Sequence, residues 1–206
     1  MFYFVKTPWL LKKYYSKCIW QIDTDQKIIF LSFDDGPHPL ATPFILDELK
    51  KYNALATFFC IGKNVIEQPD LYRRILEEGH RVGNHTYHHV NGWKVSDENY
   101  FRDIVQASAY IDSNLFRPPY GRISPFQVNH LQSAFHYKVV MWDVLSADFD
   151  KKKSGRECAL NVISNAGKGS IAIFHDSEKA FERMRIALPE VLEHFSREGF
   201  LFKSIQ

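Results

Sequence analysis

The feature that most restricts how this chain can fold is an alternation of short apolar, strand-like runs with stretches of helical periodicity. The strand-like runs are 28–33, 56–61, 80–84, 115–117, 138–144, 170–174 and 200–205. Helical spacing fills 42–51, 71–78, 97–111, 125–134, 157–165 and 177–197. In the last of these, Ala187, Leu188, Val191, Leu192 and Phe195 form one apolar stripe, with Ser177-Glu178 as a start and Gly199 as a stop. Pro189 inside it implies a kink or a fresh start. Alternation of this kind implies an α/β fold with a mainly parallel sheet and helices outside. Seven strands in 206 residues fit a distorted (β/α)7-type barrel better than a full eight-stranded one, which takes roughly 250 residues.

Length and composition narrow the class further. The expected organisation is a single domain over 1–206, with 1–26 as an N-terminal extension outside the motif region. A chain of this size buries roughly 70% of its unfolded surface and needs no disulfide or metal to fold. Lys and Arg number 26 against 24 Asp and Glu, a formal charge of +2, so there is no basic footprint for nucleic acid. Cys18, Cys60 and Cys158 are odd in number and widely spaced, the pattern of reduced, buried thiols. The apolar run 2–11 is short, is interrupted by Lys6 and Pro8, and has Lys12 and Lys13 after it rather than before it. No run approaches the roughly 18–20 apolar residues of a membrane span. The expectations are therefore no transmembrane segment and a cytoplasmic location. The oligomeric state leaves no mark on the sequence.

Polar clusters stand at the ends of five strands: Asp34-Asp35, His85 to His89, Arg117-Pro118-Pro119-Tyr120-Gly121, Asp143, and His175-Asp176. In parallel barrels chemistry gathers at the C-terminal strand ends, so clusters distant in sequence can form one site. Adjacent carboxylates such as Asp34 and Asp35 repel unless a cation shares them; the bland alternative is an Asp-Asp-Gly turn. His85 and His89 lie four apart, so one helical turn would align them on a single ion. A His-Glu-x-x-His zinc-protease pattern is excluded by Thr86, so a general base must come from elsewhere. Asp35 completes a two-histidine, one-carboxylate set suited to zinc hydrolysis or non-haem iron. His88 is expected to point away. His38, His80, His130, His136 and His194 lack ligand spacing and read as structural.

Four segments in order resemble the polysaccharide deacetylases, the NodB-like carbohydrate esterases of family 4. They are Phe33-Asp34-Asp35-Gly36-Pro37, Gly83-Asn84-His85-Thr86-Tyr87-His88-His89, Arg117-Pro118-Pro119-Tyr120-Gly121 and Ile173-Phe174-His175-Asp176. The resemblance runs from about Lys27 to His175 and implies metal-dependent removal of acetyl from an N-acetylated glycan or oligosaccharide. It implies that Asp35, His85 and His89 hold a divalent ion, Zn2+ by the donor set, and that Asp34 is the general base. It also implies that His175 is the general acid and that Arg117 pairs with the base. The chemistry of these groups agrees: an arginine beside Asp34 orients it and favours its ionised form, and a histidine suits proton delivery to an amide nitrogen. Pro118 and Pro119 lack N–H groups, which makes the Tyr120 amide the first candidate oxyanion donor after Arg117.

One segment departs from the family pattern. Where relatives carry Trp-x-Val-Asp-x-x-Asp-Trp, this chain reads Trp142-Asp143-Val144-Leu145-Ser146-Ala147-Asp148-Phe149. Leu145 cannot steady a catalytic arginine or histidine, and Asp143, two residues earlier on the same strand face, is the expected substitute. Tyr87, Trp93, Tyr120, Trp142 and Phe149 are candidate sugar platforms or rim packing. Two alternatives stand beside deacetylation: an O-acetyl esterase or other amidase on the same fold, and a catalytically impaired metal- or sugar-binding protein.

Overall fold

The computed structural model describes residues 3–206; Met1 and Phe2, the latter the first residue of the apolar run 2–11, lie outside the described residues. The first half of the chain runs α1 (Trp9–Tyr14), β1 (Ile28–Asp34), α2 (Ala41–Lys51), β2 (Ala56–Cys60), α3 (Gly62–Glu67), α4 (Pro69–Glu77), β3 (Arg81–Asn84) and α5 (Asp97–Ser108). The second half runs β4 (Leu115–Phe116), α6 (Pro125–Ala134), β5 (Lys138–Val139), β6 (Val144–Leu145), α7 (Gly155–Ile163), β7 (Ile171–His175), α8 (Glu178–Arg197) and β8 (Leu201–Phe202). The strands pair in the order β5-β4-β3-β2-β1-β7-β6, with β8 added beside the start of β1. Every one of these strand pairings is parallel. The result is a curled half-barrel with helices around it.

Burial on both faces explains why the strands read as nearly unbroken apolar runs. All seven residues of β1 are buried. Ile29, Leu31 and Phe33 pack with Ile45, Leu46 and Leu49 of α2 and Met184 and Leu188 of α8. Ile28 and Phe30 face the barrel interior with Phe59 and Val140. Period-two alternation puts Ser32 and Asp34 on that interior line. Helix α8 continues through Pro189 as one element, because its apolar stripe is buried along the whole length.

The expected strand 138–144 divides into β5 and β6, which lie at opposite edges of the sheet. The intervening residues cross the barrel's opening. There Val140 N–H reaches Phe116 O at 2.8 Å and Asp143 N–H reaches Ile171 O at 3.0 Å. The N-terminal extension lines this seam. Ile19 bridges Val140 in parallel and Lys6 bridges Val144 antiparallel. Leu145 N–H bonds to Val5 O at 2.8 Å, and Met141 N–H bonds to Ile19 O at 2.7 Å. Cys18, Cys60 and Cys158 are buried and unpaired. Among the described residues, no helix is long and apolar enough to cross a membrane.

Candidate active site

The two aspartates at the end of β1 diverge. Asp34 is the last residue of the strand, whereas Asp35 has φ 84°, in the left-handed region, and turns its side chain away. The Asp35 carbonyl accepts from Asn64 Nδ2 at 2.7 Å. Beneath the turn, buried Asp176 accepts from Gly36 N–H at 2.9 Å and from Thr42 Oγ1–H at 2.7 Å. Burial drives the Asp176 carboxyl well above the usual carboxylate range.

Arg117, at the end of β4, is fully buried, and its guanidinium is the hub of the interior. Its Nη1–H groups donate to Asp34 Oδ1 at 2.7 Å and Ser32 Oγ at 2.8 Å. Nε–H donates to Val140 O at 3.2 Å and Nη2–H to Met141 O at 2.9 Å. The guanidinium lies 4.0 Å from the Phe59 ring centroid. A buried pair held by this many additional bonds fixes one oxygen of Asp34 and leaves the other for chemistry.

The histidine loop after β3 is not a helical turn, contrary to the sequence expectation. Thr86 and His89 take positive φ values of 65° and 58°, and the loop is shaped by side-chain acceptors instead. Asn84 Oδ1 accepts from Thr86 N–H at 2.8 Å. Asp103 Oδ1 accepts from Tyr87 N–H at 2.7 Å and His88 N–H at 2.9 Å. Asp103 Oδ2 lies 2.6 Å from His88 Nδ1, so His88 points away from the cluster.

His85 and His89 nevertheless meet. Their rings are 5.1 Å apart, and Asp35 Oδ1 lies 3.7 Å from His85 Nε2 and 3.2 Å from His89 Nε2. The ligand atoms of Asp35, His85 and His89 all fall within 4.8 Å of one another, a group able to hold a metal ion. His85 Nδ1 sits 2.7 Å from Arg117 O, which assigns the proton there and leaves the Nε2 lone pair facing the cluster. Burial pushes the His85 imidazole down to about 4, so it is neutral at physiological pH, as a ligand must be. Burial opposes ionisation of Asp35. The His89 contact and the charges of His175 and His85 outweigh that and hold its carboxyl well below the usual range.

His175, at the end of β7, is oriented by Asp148, which accepts its backbone N–H at 2.8 Å and lies 2.7 Å from its Nδ1. Burial lowers its pKa, but Asp148 and the neighbouring carboxylates raise it to about 9. The expectation that Asp143 would serve here is corrected. Asp143 lies at the start of β6, where its carboxylate binds Lys6 at 2.6 Å, Lys12 at 2.5 Å and Ser170 Oγ at 2.6 Å. The second aspartate of the fourth motif, Asp148, supplies the contact. Leu145 packs with Ala147 and Ile173 in an apolar cluster.

Tyr120 stands at the rim with φ 61°, its ring 4.6 Å from that of His89. Among the other aromatics, Phe149 meets His175 edge-on at 5.3 Å. Trp93 is exposed under Arg122, and Trp142 packs inward beside Gly121. Tyr87 packs against the core. Of the remaining histidines, His38 accepts the N–H groups of Leu40 and Ala41 at the start of α2, His80 accepts Ala56 N–H, and His130 stacks on Phe101.

A half-barrel that gathers two carboxylates, an arginine and three histidines at its C-terminal strand ends belongs to the class of acetyl-removing carbohydrate hydrolases. The sequence profile of the polysaccharide deacetylases matches residues 21–140, and the chain belongs to that family, carbohydrate esterase family 4. A peptidoglycan-N-acetylglucosamine deacetylase of Bacillus cereus is 35% identical over 192 residues, covering 90% of each chain. A chitooligosaccharide deacetylase of Azorhizobium caulinodans is 34% identical over 164 residues, covering 76% of this chain and 77% of its own. A peptidoglycan N-acetylglucosamine deacetylase solved with 4-naphthalen-1-yl-N-oxidanyl-benzamide superposes with a TM-score of 0.88 at 30% identity. That match covers 97% of this chain and 95% of the other.

Proposed function

We propose that this enzyme removes the acetyl group from N-acetylated amino sugars of an oligosaccharide or polysaccharide, with one divalent ion, zinc by its donor set, held by Asp35, His85 and His89. The observation that carries the reading is the convergence of those three donors beside Asp34, which Arg117 holds by one oxygen only. A divalent ion in this position supplies Lewis acidity and lowers the pKa of a bound water to roughly 7.

The protein's own groups do the rest. Asp34 takes the proton of the attacking water at Oδ2, because Oδ1 is already engaged by Arg117. As the water oxygen adds to the acetyl carbon, the Tyr120 N–H donates to the developing oxyanion. The C–N bond then breaks, and His175 gives its Nε2 proton to the departing amine, since Nδ1 is committed to Asp148. Acetate and a free amino sugar result. A histidine with its pKa raised to about 9 is protonated at neutral pH, the state a general acid needs.

The test is acetate release by zinc-loaded enzyme from N-acetylglucosamine oligomers, set against O-acetylated xylan. Release from the oligomers, abolished in Asp34→Asn while zinc stays bound, is the expected result. Release from xylan alone would favour the esterase alternative. No release from any acetylated glycan would overturn the catalytic reading.

A further inference from the structure

Beside the candidate metal ligands lies an open groove of about 570 Å3 whose lining includes His89, Tyr120, Lys94 and Arg122. No aspartate or glutamate lines it. Among the described residues, Lys94 and Arg122 have no carboxylate partner, and the contact the Arg122 guanidinium makes is with the Trp93 ring, 4.5 Å from its centroid.

The groove is built rather than loose. Trp93 and Lys94 sit on a turn closed by Asn91, whose Oδ1 accepts from Trp93 N–H at 3.0 Å and whose carbonyl accepts from Lys94 N–H at 2.9 Å. Gln127 Nε2, on α6, holds this turn through Gly92 O at 2.8 Å and the start of α5 through Asp97 Oδ1 at 2.7 Å. The turn runs so close to Arg122 that a Cβ on Gly92 would lie 2.8 Å from the Arg122 carbonyl oxygen. The Trp93 ring holds the Arg122 guanidinium at the groove by a cation–π contact, 4.5 Å from its centroid.

We infer that Arg122 and Lys94 form a carboxylate subsite, so that the enzyme prefers amino-sugar chains bearing a carboxylate next to the deacetylated residue over neutral ones. The inference rests on the deacetylase reading and specifies its substrate. Two cations without carboxylate partners, in the same groove as His89 and Tyr120, favour an anionic glycan during encounter and in the bound state. An arginine edge and an ammonium suit a carboxylate better than a hydroxyl, because charge-assisted hydrogen bonds are about twice as strong as neutral ones. The carboxylate has two chemical sources, a lactyl ether on the neighbouring sugar or a peptide attached through it.

The experiment measures kcat/KM of the zinc-loaded enzyme on four tetrasaccharides. One is neutral N-acetylglucosamine, one alternates with lactyl-ether residues whose acids are free, one has those acids amidated, and one carries a dipeptide on them. The expected preference for a free acid over the neutral and amidated chains is about tenfold, the scale of one charge-assisted contact. The lactyl and dipeptide chains show which carboxylate is read. In the Arg122→Gln/Lys94→Gln double variant the preference ratio should collapse towards one, with Arg122→Lys retaining part of it. The wild-type ratio should also shrink at high salt. A wild-type ratio near one, or a ratio kept by the double variant, overturns the subsite while leaving deacetylation intact. Failure on all four chains overturns the deacetylase reading and the subsite together.

Discussion

His175 and Asp148 set the pH behaviour of the site. Burial alone would strip the proton from the imidazole, and the Asp148 carboxylate reverses that, raising the pKa to about 9. The proposed mechanism requires the acid form, so activity should fall as pH rises through the value in the loaded enzyme, which the positive charge of a bound cation draws below that figure. Replacing Asp148 with Asn removes the raising charge. The alkaline limb should then move to lower pH and kcat should drop by roughly 10²–10⁴, the usual worth of a general acid. A pH–rate profile of the two enzymes checks both; an unmoved limb would remove Asp148 from this role. At this scale much was legible in sequence: Asp34, Asp35, His85, His89, Arg117 and His175 all carry motif signals, and the structure brings them together, His175 beside Asp34 on the neighbouring strand. Asp148 was hidden because extended-strand geometry favoured Asp143, whereas the chain turns at Ala147, with φ 64°, and re-aims the later carboxylate. Asp103 was hidden, and so was the loop-holding role of Asp176, although Asp176 stands in the last motif, because helix α5 and the residue after β7 give no local sign of the loops they hold.

The strand-to-helix turn after β1 and the N-terminal seam are the elements on which the site's placement depends. A Cβ on Gly36 would lie 1.7 Å from Asp176 Oδ2. Gly36→Ala must therefore displace either the buried carboxyl or the turn that carries Asp35. Overpacking of this kind costs about 1–3 kcal/mol, and we expect a Tm lower by several degrees together with weakened zinc affinity. A wild-type melt and zinc titration would contradict this. At the seam, Asp143 is 1% exposed and held by Lys6 and Lys12. Burial works against its charge, and the two lysines and Ser170 together still lower its pKa. The stability it contributes is therefore present above the ordinary carboxylate range and is lost as pH falls through the lowered value. Lys6→Met/Lys12→Met should destabilise by about 1–3 kcal/mol, less than the 3–5 of a fully buried pair because Lys6 is half-exposed. Urea unfolding at neutral pH reads it, and an unchanged midpoint would count against the seam. The helices with strong stripes were legible, α8 above all. Helices α1 and α3, six residues each, are too short to show a period, and the division between β5 and β6 depends on a sheet edge no local pattern reveals.

Across the whole molecule, parallel strands deliver clusters more than a hundred residues apart to one end of the half-barrel. Strand–helix alternation was sufficient to predict that gathering, because parallel connections return every strand in the same direction. It did not reveal that residues 6–21 would line the gap between the sheet's two edges, since their pairing is made of isolated bridges rather than a strand. In the proposed function, metal dependence is the property that binds this architecture to its chemistry. The most direct measurement is acetate release from an N-acetylglucosamine oligomer as chelator-stripped enzyme is titrated with zinc. Activity should rise from the background rate and saturate at a single equivalent, and His89→Ala should fail to recover it at that stoichiometry. A stripped enzyme that keeps its full rate, or an His89→Ala enzyme that recovers as the wild type does, would contradict the assignment of Asp35, His85 and His89 as the metal site.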